Sequence, residues 1–524
     1  MLDLGRTIMA SAERSPQALA LVDGALRLSY RDWLDRIVRL VGALDRLGLQ
    51  RGDHLVTVLQ NRWEAATLHW ACQLAGIIVT PVNWRAKADE LEYCLVDADA
   101  RALVFQDVSA AAVAGASAAG ALPRIALDDA PGGNHRFDDL LGDVPPSDLP
   151  ADLPRARADD ISLMLYTSGT TGRPKGVPRR HRAERAAALA HVAQNLYRRG
   201  ERTLGVMPLY HTMGVRSLLA MALIDGCFVC QRRFDPVEAL AEIARERVTT
   251  LYLVPTLYHD LVHHVAFSRA AVASVRKLGF AGAPMTDALL QKLVAEFAPE
   301  LFVNHYGSSE VYSFAINQDA AAKPGCAGKA GINELIRVVT LGAADPDDPA
   351  ARAVIGEEGQ IICHLDSDEA FEGYWRRPDA DAKAIRGRWY FTGDTGYLDE
   401  DGDLFVTGRV DDMIITGGEN VSPVEIESRL SLHPAVAEVA VVGLPDARWG
   451  QRVAAFIKRA EAFDEASDAA ALDLYCRESG MANFKRPRDY VFVDEIPKSP
   501  VGKILRRKLV AGEYQPETTR KRAS

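Results

Sequence analysis

Residues 166–177 read YTSGTTGRPKGV, and six of the first seven are glycine, serine or threonine. Small residues let backbone N–H groups come close to an anion, hydroxyls add donors, and Arg173 and Lys175 supply charge, so the segment has the makings of a phosphate-holding loop. It is not a Walker loop. Pro174 stands where that pattern needs its second glycine, and Lys175 is followed by Gly176 rather than by a hydroxyl residue. Read alone, such a cluster is also a plain surface loop.

Four further stretches carry groups that nucleotide chemistry uses. NHYGSSE (304–310) follows the apolar LFV, and the C-terminal ends of such strands are where α/β sheets bind ligands. There Tyr306 offers a ring for a base, and Glu310 a hard oxygen for a cation such as Mg²⁺. In YFTGDTGYL (390–398), Asp394 has acceptor oxygens for ribose hydroxyls. In GRVDDMIITGGEN (408–420), Arg409 suits ribose or phosphate, and Gly417 and Gly418 let backbone lie close to a ligand. In PKSPVGKILRRKL (497–509), Lys503 precedes a basic, helix-like stretch. Taken singly these are a capped loop, a turn aspartate and a solvated lysine. Their combination, in this order, carries the weight.

The elements that must position these groups alternate in type. VEALAEIARERVTTLYLVP and DALLQKLVAEFAPELFVNHYG each run from helix to strand, and RTLGVMPLY precedes the helical VRSLLAMALIDG. Such alternation predicts layered α/β structure with largely parallel strands. After about residue 340, short strands, Asp-Gly turns and many glycines predict β-hairpins. Ser422, Pro423 and Glu425 fit the N-cap, N1 and N3 positions of a following helix.

Composition sets the class. The chain has 524 residues, 48% hydrophobic and 25% charged, as folded soluble proteins have. A net charge of −10 argues against wholesale nucleic-acid binding. The N-terminus lacks a signal-peptide pattern. The uncharged run at 65–84 contains His69, Gln73, Pro81 and Asn83 and is expected to be a core helix and strand rather than a membrane span. Seven scattered cysteines suit a reducing cytoplasm, and the lone Cys227-x-x-Cys230 is expected to be buried strand rather than a metal or redox site.

Across essentially the whole chain, YTSGTTGRPKG, YGSSE, TGD, GRVDDMI and PKSPVGKILR resemble the motifs of the adenylate-forming superfamily of acyl-CoA synthetases, luciferases and adenylation domains. MPLYH, FAGAPM, GRVDDMIITGGENVSPVEIE, DARWGQRV and NFKRPRDY look most similar to bacterial aryl-CoA ligases of the 4-chlorobenzoate–CoA ligase type. Ser309 departs from the family's usual threonine, and AGAP (281–284) has alanine where glycine is common.

The resemblance implies an α/β fold. Residues 1–410 would form a large N-terminal domain of layered α/β subdomains plus a β-rich subdomain. Residues 411–524 would form a small mobile α+β C-terminal domain, with Asp411 at the hinge. It implies two reactions in a cytoplasmic enzyme: a carboxylate attacks ATP to give acyl-AMP, and coenzyme A then takes the acyl group. Lys503, His211 and Glu310 would be catalytic, with Glu310 and Ser309 toward Mg²⁺. ATP or AMP would meet Thr167, Ser168, Gly169, Thr170, Thr171, Gly172, Lys175, Ala281, Gly282, Ala283, Tyr306, Gly307, Ser308, Ser309, Asp394 and Arg409. Coenzyme A would meet Arg85, Gly417, Gly418, Glu419, Trp449, Phe484, Arg486 and Arg488.

The acyl pocket would comprise His211, Thr212, Met213, Tyr252, His305, Tyr312 and Ser313, beside Ala281. It is polar and ring-lined, which suits a small aromatic or heteroaromatic acid such as benzoate, a hydroxybenzoate, a halobenzoate or 2-furoate. A medium- or long-chain fatty acid, or loading of a carrier protein, are the alternatives. Expected partners are the acid, ATP and coenzyme A, without nucleic acid or membrane span, and a homodimer is left open.

Overall fold

The computed structural model describes residues 3–142, 152–167, 173–341, 348–460, 468–498 and 504–517. Helix Tyr30–Arg46 shows how the local code works. Ser29 accepts from Asp32 N, and the Asp32 carboxylate reaches back to Ser29 N, closing a capping box. Trp33, Ile37, Leu40, Val41 and Leu44 recur at helical spacing and are buried. Helix Trp63–Ala75 is instead apolar on nearly every side and lies inside the protein. Gly76 ends it with φ +78°, and strand Ile78–Pro81 follows, so the uncharged run is core helix and strand as expected. No helix among the described residues is long and apolar enough to cross a membrane.

Two sheets organise the large α/β domain. One contains the parallel run Leu301–Tyr306, Lys277–Ala281, Thr250–Leu253, Arg202–Gly205, Cys227–Cys230 and Leu19–Asp23. The other is a seven-stranded sheet in which His54–Val58 lies between Ile78–Pro81 and Ala100–Phe105, all parallel. Residues of helices Leu4–Arg14, Tyr30–Arg46, Trp63–Ala75, His181–Gln194 and Thr212–Leu223 form one core between the sheets. Helices Pro236–Glu246, Pro255–His263 and Asp287–Phe297 contribute to the core on the outer face of the first sheet. Cys227 and Cys230 are buried strand residues with free thiols.

Beyond Tyr306 the first sheet becomes antiparallel. Strands Ala315–Asn317, Cys326–Ala330, Ile336–Thr340, Gly359–His364, Trp389–Leu398 and Leu404–Arg409 make the β-rich part. A separate five-stranded sheet, from Ile414–Thr416 to Asp489–Phe492, packs with helices Pro423–Ser431 and Ala469–Glu478 in the smaller α+β domain.

The expected start of helix Pro423–Ser431 is borne out in position and differs in its bonding. Ser422 and Pro423 occupy the N-cap and N1 positions, but no side-chain cap forms. The Ser422 hydroxyl donates to Thr407 O instead, fastening this helix to strand Leu404–Arg409. That carbonyl outcompetes the helix's own N–H groups for the hydroxyl.

Candidate active site

The sheet order locates a crevice. Strand Arg202–Gly205 pairs with the next strand on one side and with Thr250–Leu253 on the other. The chain leaves Arg202–Gly205 toward Cys227–Cys230 on one side and leaves its neighbour Thr250–Leu253 toward Lys277–Ala281 on the other, which opens a gap between these two strands of the kind α/β proteins use for ligands. The segment emerging there, VMPLYH, leads into helix Thr212–Leu223. Asn61, just beyond the matching central strand of the second sheet, clamps this segment. Its Nδ2 donates to Gly205 O at 2.8 Å and Met207 O at 2.6 Å, and its Oδ1 accepts from Leu209 N at 3.0 Å.

His211 is the N-cap of that helix and accepts from Met213 N through Nδ1 at 3.3 Å. Thr212 and Met213 are buried behind it. Strand Lys277–Ala281 ends alongside. Gly282 turns with φ +85°, and a Cβ there would lie 4.0 Å from Met213 Sδ. Ala281, Gly282 and Ala283 thus continue into the same gap as Met213.

Strand Leu301–Tyr306 delivers the next group. Ser308 Oγ accepts from Glu310 N at 3.2 Å and Val311 N at 3.3 Å, and Ser308 N donates to Val311 O at 2.9 Å. This tight turn also contains Ser309. A Cβ at Gly307 would stand 2.1 Å from Tyr312 O, so only glycine fits. The Tyr306 hydroxyl donates to Asp394 Oδ2 at 2.6 Å, and Arg409 Nη1 donates to Asp394 Oδ1 at 2.9 Å. Asp394 and Arg409 face each other in register on adjacent strands. Burial, reinforced by Asp394, pushes the Tyr306 hydroxyl well above its usual range, so it stays a donor.

A second cluster adjoins this one. Glu310 is buried, and its Oε1 accepts from the Tyr374 hydroxyl at 2.7 Å. Lys175 Nζ lies over the Tyr374 ring, 4.1 Å from its centroid. Burial pushes the Lys175 ammonium below its usual range, Arg377 and Arg409 add to the effect, and Glu310 opposes it. Thr167 pairs with Lys175 across the mouth of a hairpin. Ser168, Gly169, Thr170, Thr171 and Gly172 lie outside the described residues, as does Lys503.

The expected acyl-pocket residues also converge. Tyr252, His305, Tyr312 and Ser313 are buried. The His305 ring lies 4.9 Å from Tyr252 and 5.2 Å from His191, centroid to centroid. Arg216 joins Tyr252, Tyr312 and Ser313 by hydrogen bonds. Sequence reasoning missed Arg216, His191, Asn61 and Tyr374. Only Arg216 left a signal, as the single charge in TMGVRSLLAMAL.

The residues expected at coenzyme A fall into separate groups. Gly417 and Gly418 form a turn with φ +62° and +88°, followed by exposed Glu419. Gly417 N donates to Trp449 O at 2.9 Å. Trp449 and Phe484 are 47% and 41% exposed, which rules out core packing for either. Arg488 is exposed, whereas Arg486 is held by Asp473 at 2.6 Å. Arg85 belongs to the N-terminal part, its guanidinium 3.8 Å from the Trp84 ring centroid. Asp411 lies in the short turn Val410–Asp412 between the β-rich strands and the five-stranded sheet.

One continuous segment, 305–313, joins the Tyr306–Asp394–Arg409 contacts to the buried polar cluster of His305, Tyr312 and Ser313. Residues 8–375 match the family described as AMP-binding enzyme, and residues 425–503 match the AMP-binding enzyme C-terminal domain. A 4-chlorobenzoate–CoA ligase of Arthrobacter sp is 32% identical over 520 residues, covering 97% of this chain and 96% of that protein. A long-chain-fatty-acid–CoA ligase of Mycobacterium tuberculosis is 31% identical over 511 residues, covering 97% of each. The crystal structure of the anthranilate CoA ligase AuaEII in complex with anthranoyl-AMP superposes with a TM-score of 0.89 at 26% identity, covering 98% of this chain and 97% of that one.

Proposed function

The chain belongs to the AMP-binding enzyme family, and from that premise we propose an ATP-dependent ligase that joins a small aromatic or heteroaromatic acid to coenzyme A through an acyl-adenylate. The observation that carries this reading is the path from the Tyr306–Asp394 contact through residues 307–311 to buried Ser313 and Tyr312. A nucleotide held at one end and an acid at the other would meet near His211 and Glu310.

The first step brings a carboxylate against a triphosphate, and the two repel. Positive charge and fixed geometry must offset that repulsion. Lys503 bridges the carboxylate and the α-phosphate in this reading, while residues 167–172 and Lys175 hold the outer phosphates. Asp394 and Arg409 fix the ribose, and Tyr306 packs on the base. The carboxylate oxygen attacks phosphorus and pyrophosphate departs. The coenzyme A sulfur then attacks the acyl carbon, loses its proton, and AMP leaves with the bridging oxygen. The smaller domain turns about Asp411 between steps, so that Lys503 withdraws and the face bearing Gly417, Gly418 and Trp449 replaces it.

Magnesium fits the donor set. Glu310 presents a hard carboxylate whose other contact is the Tyr374 hydroxyl, and Mg²⁺ in nucleotide sites takes one or two carboxylates plus substrate phosphates. Glu310 and Ser309 would hold it, and the ion would supply charge neutralisation on the phosphates. The triad Asp399, Asp401 and Asp403 is no rival site, because Lys323 Nζ lies 2.5, 3.0 and 2.6 Å from its carboxylates.

The buried polar side chains of the pocket disfavour a fatty-acyl tail, which would leave them unpaired. ATP–pyrophosphate exchange with a panel of acids tests the reading, followed by thioester formation with coenzyme A. Exchange with benzoate or 2-furoate and a requirement for coenzyme A are expected. Saturation by palmitate at far lower concentration would reverse the substrate class, and loading of a carrier protein without coenzyme A would replace the acceptor.

A further inference from the structure

The inference here rests on the ligase reading above and concerns what the acid carries besides its reacting carboxylate. Arg216 is 2% exposed. It lies four residues after Thr212 and three after Met213, so it shares their face of helix Thr212–Leu223, one turn deeper than His211. Its Nη1 donates to Ser313 Oγ at 2.7 Å, and its Nη2 donates to the Tyr252 hydroxyl at 3.0 Å and to Tyr312 O at 3.1 Å. All three acceptors are neutral. Arg179, the neighbouring buried arginine, pairs directly with Glu184 at 2.8 Å. Arg216 has no such carboxylate among the described residues. Glu369, also buried, is a charge partner of Arg216 without a direct ion pair to it, and it also hydrogen-bonds with Ser313.

Arg216 Nε is buried and has no hydrogen-bond partner among the described residues. The adjoining imidazoles add two more such atoms. Asn195 Nδ2 donates to His191 Nδ1 at 3.1 Å, and Asn195 Oδ1 accepts from His305 Nε2 at 3.1 Å. That assigns the remaining proton of His191 to Nε2, as a donor, and leaves His305 Nδ1 as an acceptor. Both atoms are buried without a partner among the described residues. Native interiors rarely leave such groups unmade, and a cation ringed by neutral acceptors is set up to receive an oxygen.

We propose that Arg216 determines specificity, and that the acid carries a further oxygen acceptor on its acyl portion, which takes the donors of Arg216 and His191. A ring ether oxygen, a hydroxyl or a second carboxylate would each serve. The three sources differ in charge and reach, so one panel separates them.

Exchange assays on the full chain would compare benzoate with 2-furoate, 3-hydroxybenzoate and isophthalate by kcat/KM. At least one oxygen-bearing acid is expected to exceed benzoate by about ten-fold or more, because a site built to hydrogen-bond a group discriminates against acids lacking it. Whichever acid leads names the oxygen. Arg216→Met is expected to bring that ratio toward one. The ratio is read within a single preparation, so a loss of folded enzyme cancels. Arg216→Lys keeps the charge, loses the planar fork and is expected to lower the same ratio, should the methionine variant not fold. Benzoate equal to or better than the others in the wild type, or a ratio unchanged by substitution, overturns the inference. Exchange led by benzoate leaves the ligase reading standing, whereas exchange with no acid removes both.

Discussion

Tyr306 donates its hydroxyl to Asp394 across 2.6 Å, tying the last residue of a parallel strand to an aspartate of the antiparallel part. Arg409 takes the other carboxylate oxygen, so both faces of Asp394 are engaged. A ribose seeking Asp394 must share or displace these contacts. Tyr306→Phe removes one of them without changing charge. A hydrogen bond to a charged group contributes about 1.5–3 kcal/mol, so the KM for ATP is expected to change by roughly ten-fold or more while the order of preference among acids stays fixed. Steady-state exchange kinetics at varied ATP check this. An unaltered KM with unaltered kcat would separate Tyr306 from nucleotide binding.

Lys503→Ala addresses the two half-reactions. Removing a charge that acts on the α-phosphate is expected to slow acyl-adenylate formation on the order of 10²–10³-fold. Thioester formation from supplied acyl-adenylate and coenzyme A is expected to stay within a few-fold of wild type, since in the proposed cycle the lysine leaves before that step. Rapid-quench assays of each half-reaction check both arms, and equal loss in the two would reject the division of labour.

The convergence of Tyr306, Asp394 and Arg409 was legible in short motifs, because each sets a hydrogen-bonding side chain beside glycine. The layered α/β core was legible too. VEALAEIARERVTTLYLVP became helix Pro236–Glu246 and strand Thr250–Leu253, since apolar spacing and strand composition agree there. Arg216 was not legible as a buried residue. Its burial depends on Tyr252 and Ser313, which lie far away in the chain, and a lone arginine in an apolar helix reads equally well as solvent-facing. Arg486 is expected at coenzyme A, and nothing in the sequence signals that Asp473, in helix Ala469–Glu478, holds it. The Ser422 hydroxyl answered to a strand carbonyl rather than to its own helix. In each case the deciding partner is tertiary.

Stability should peak near pH 6.5. Burial lowers the imidazoles of His54 and His181 from 6.5 to about 4 and that of His69 to about 3, and it lowers His191 and His305 well below 6.5. The unfolded chain therefore binds more protons at these sites as pH falls below 6.5. Each site removes about 1.4 kcal/mol of stability per pH unit until its folded-state pKa is reached. Glu334 and Glu242 act oppositely. Burial, aided by Glu369 and Glu238 respectively, raises each from 4.5 to about 8, so their stabilisation is whole below 4.5 and is lost as pH rises toward 8. Among these seven groups the five histidines outweigh the two glutamates below 6.5, and above it Glu369 and Glu427, also raised by burial, act in the same direction as Glu334 and Glu242. Thermal unfolding from pH 5 to 8.5 checks the peak. A midpoint that climbs steadily across the range would show that these groups are not buried as described.

Gly214 tests whether the crevice tolerates any shift of helix Thr212–Leu223. A Cβ at this position would lie 2.2 Å from Pro208 O and 2.3 Å from Met207 O. Both are backbone atoms, so no rotamer change relieves the clash. The segment cannot simply retreat, because Asn61 holds it at Gly205 O, Met207 O and Leu209 N. Gly214→Ala must therefore push the helix, and with it His211, Met213 and Arg216. Overpacking of this kind costs about 1–3 kcal/mol, and a displacement near 1 Å at reacting groups costs on the order of 10²-fold in rate. Gly42→Ala is the matched control. It lies in helix Tyr30–Arg46, and its new Cβ would meet only Arg46 Nη1, at 3.6 Å. There alanine is expected to raise stability by about 0.5–1 kcal/mol without altering exchange, because it restricts the unfolded chain and improves helix propensity. Unfolding midpoints and exchange rates of the two variants, measured side by side, separate a general response to alanine from the steric demand at the crevice. If Gly214→Ala matched Gly42→Ala in both, the helix would have room to move and the tight seating of His211 would be wrong.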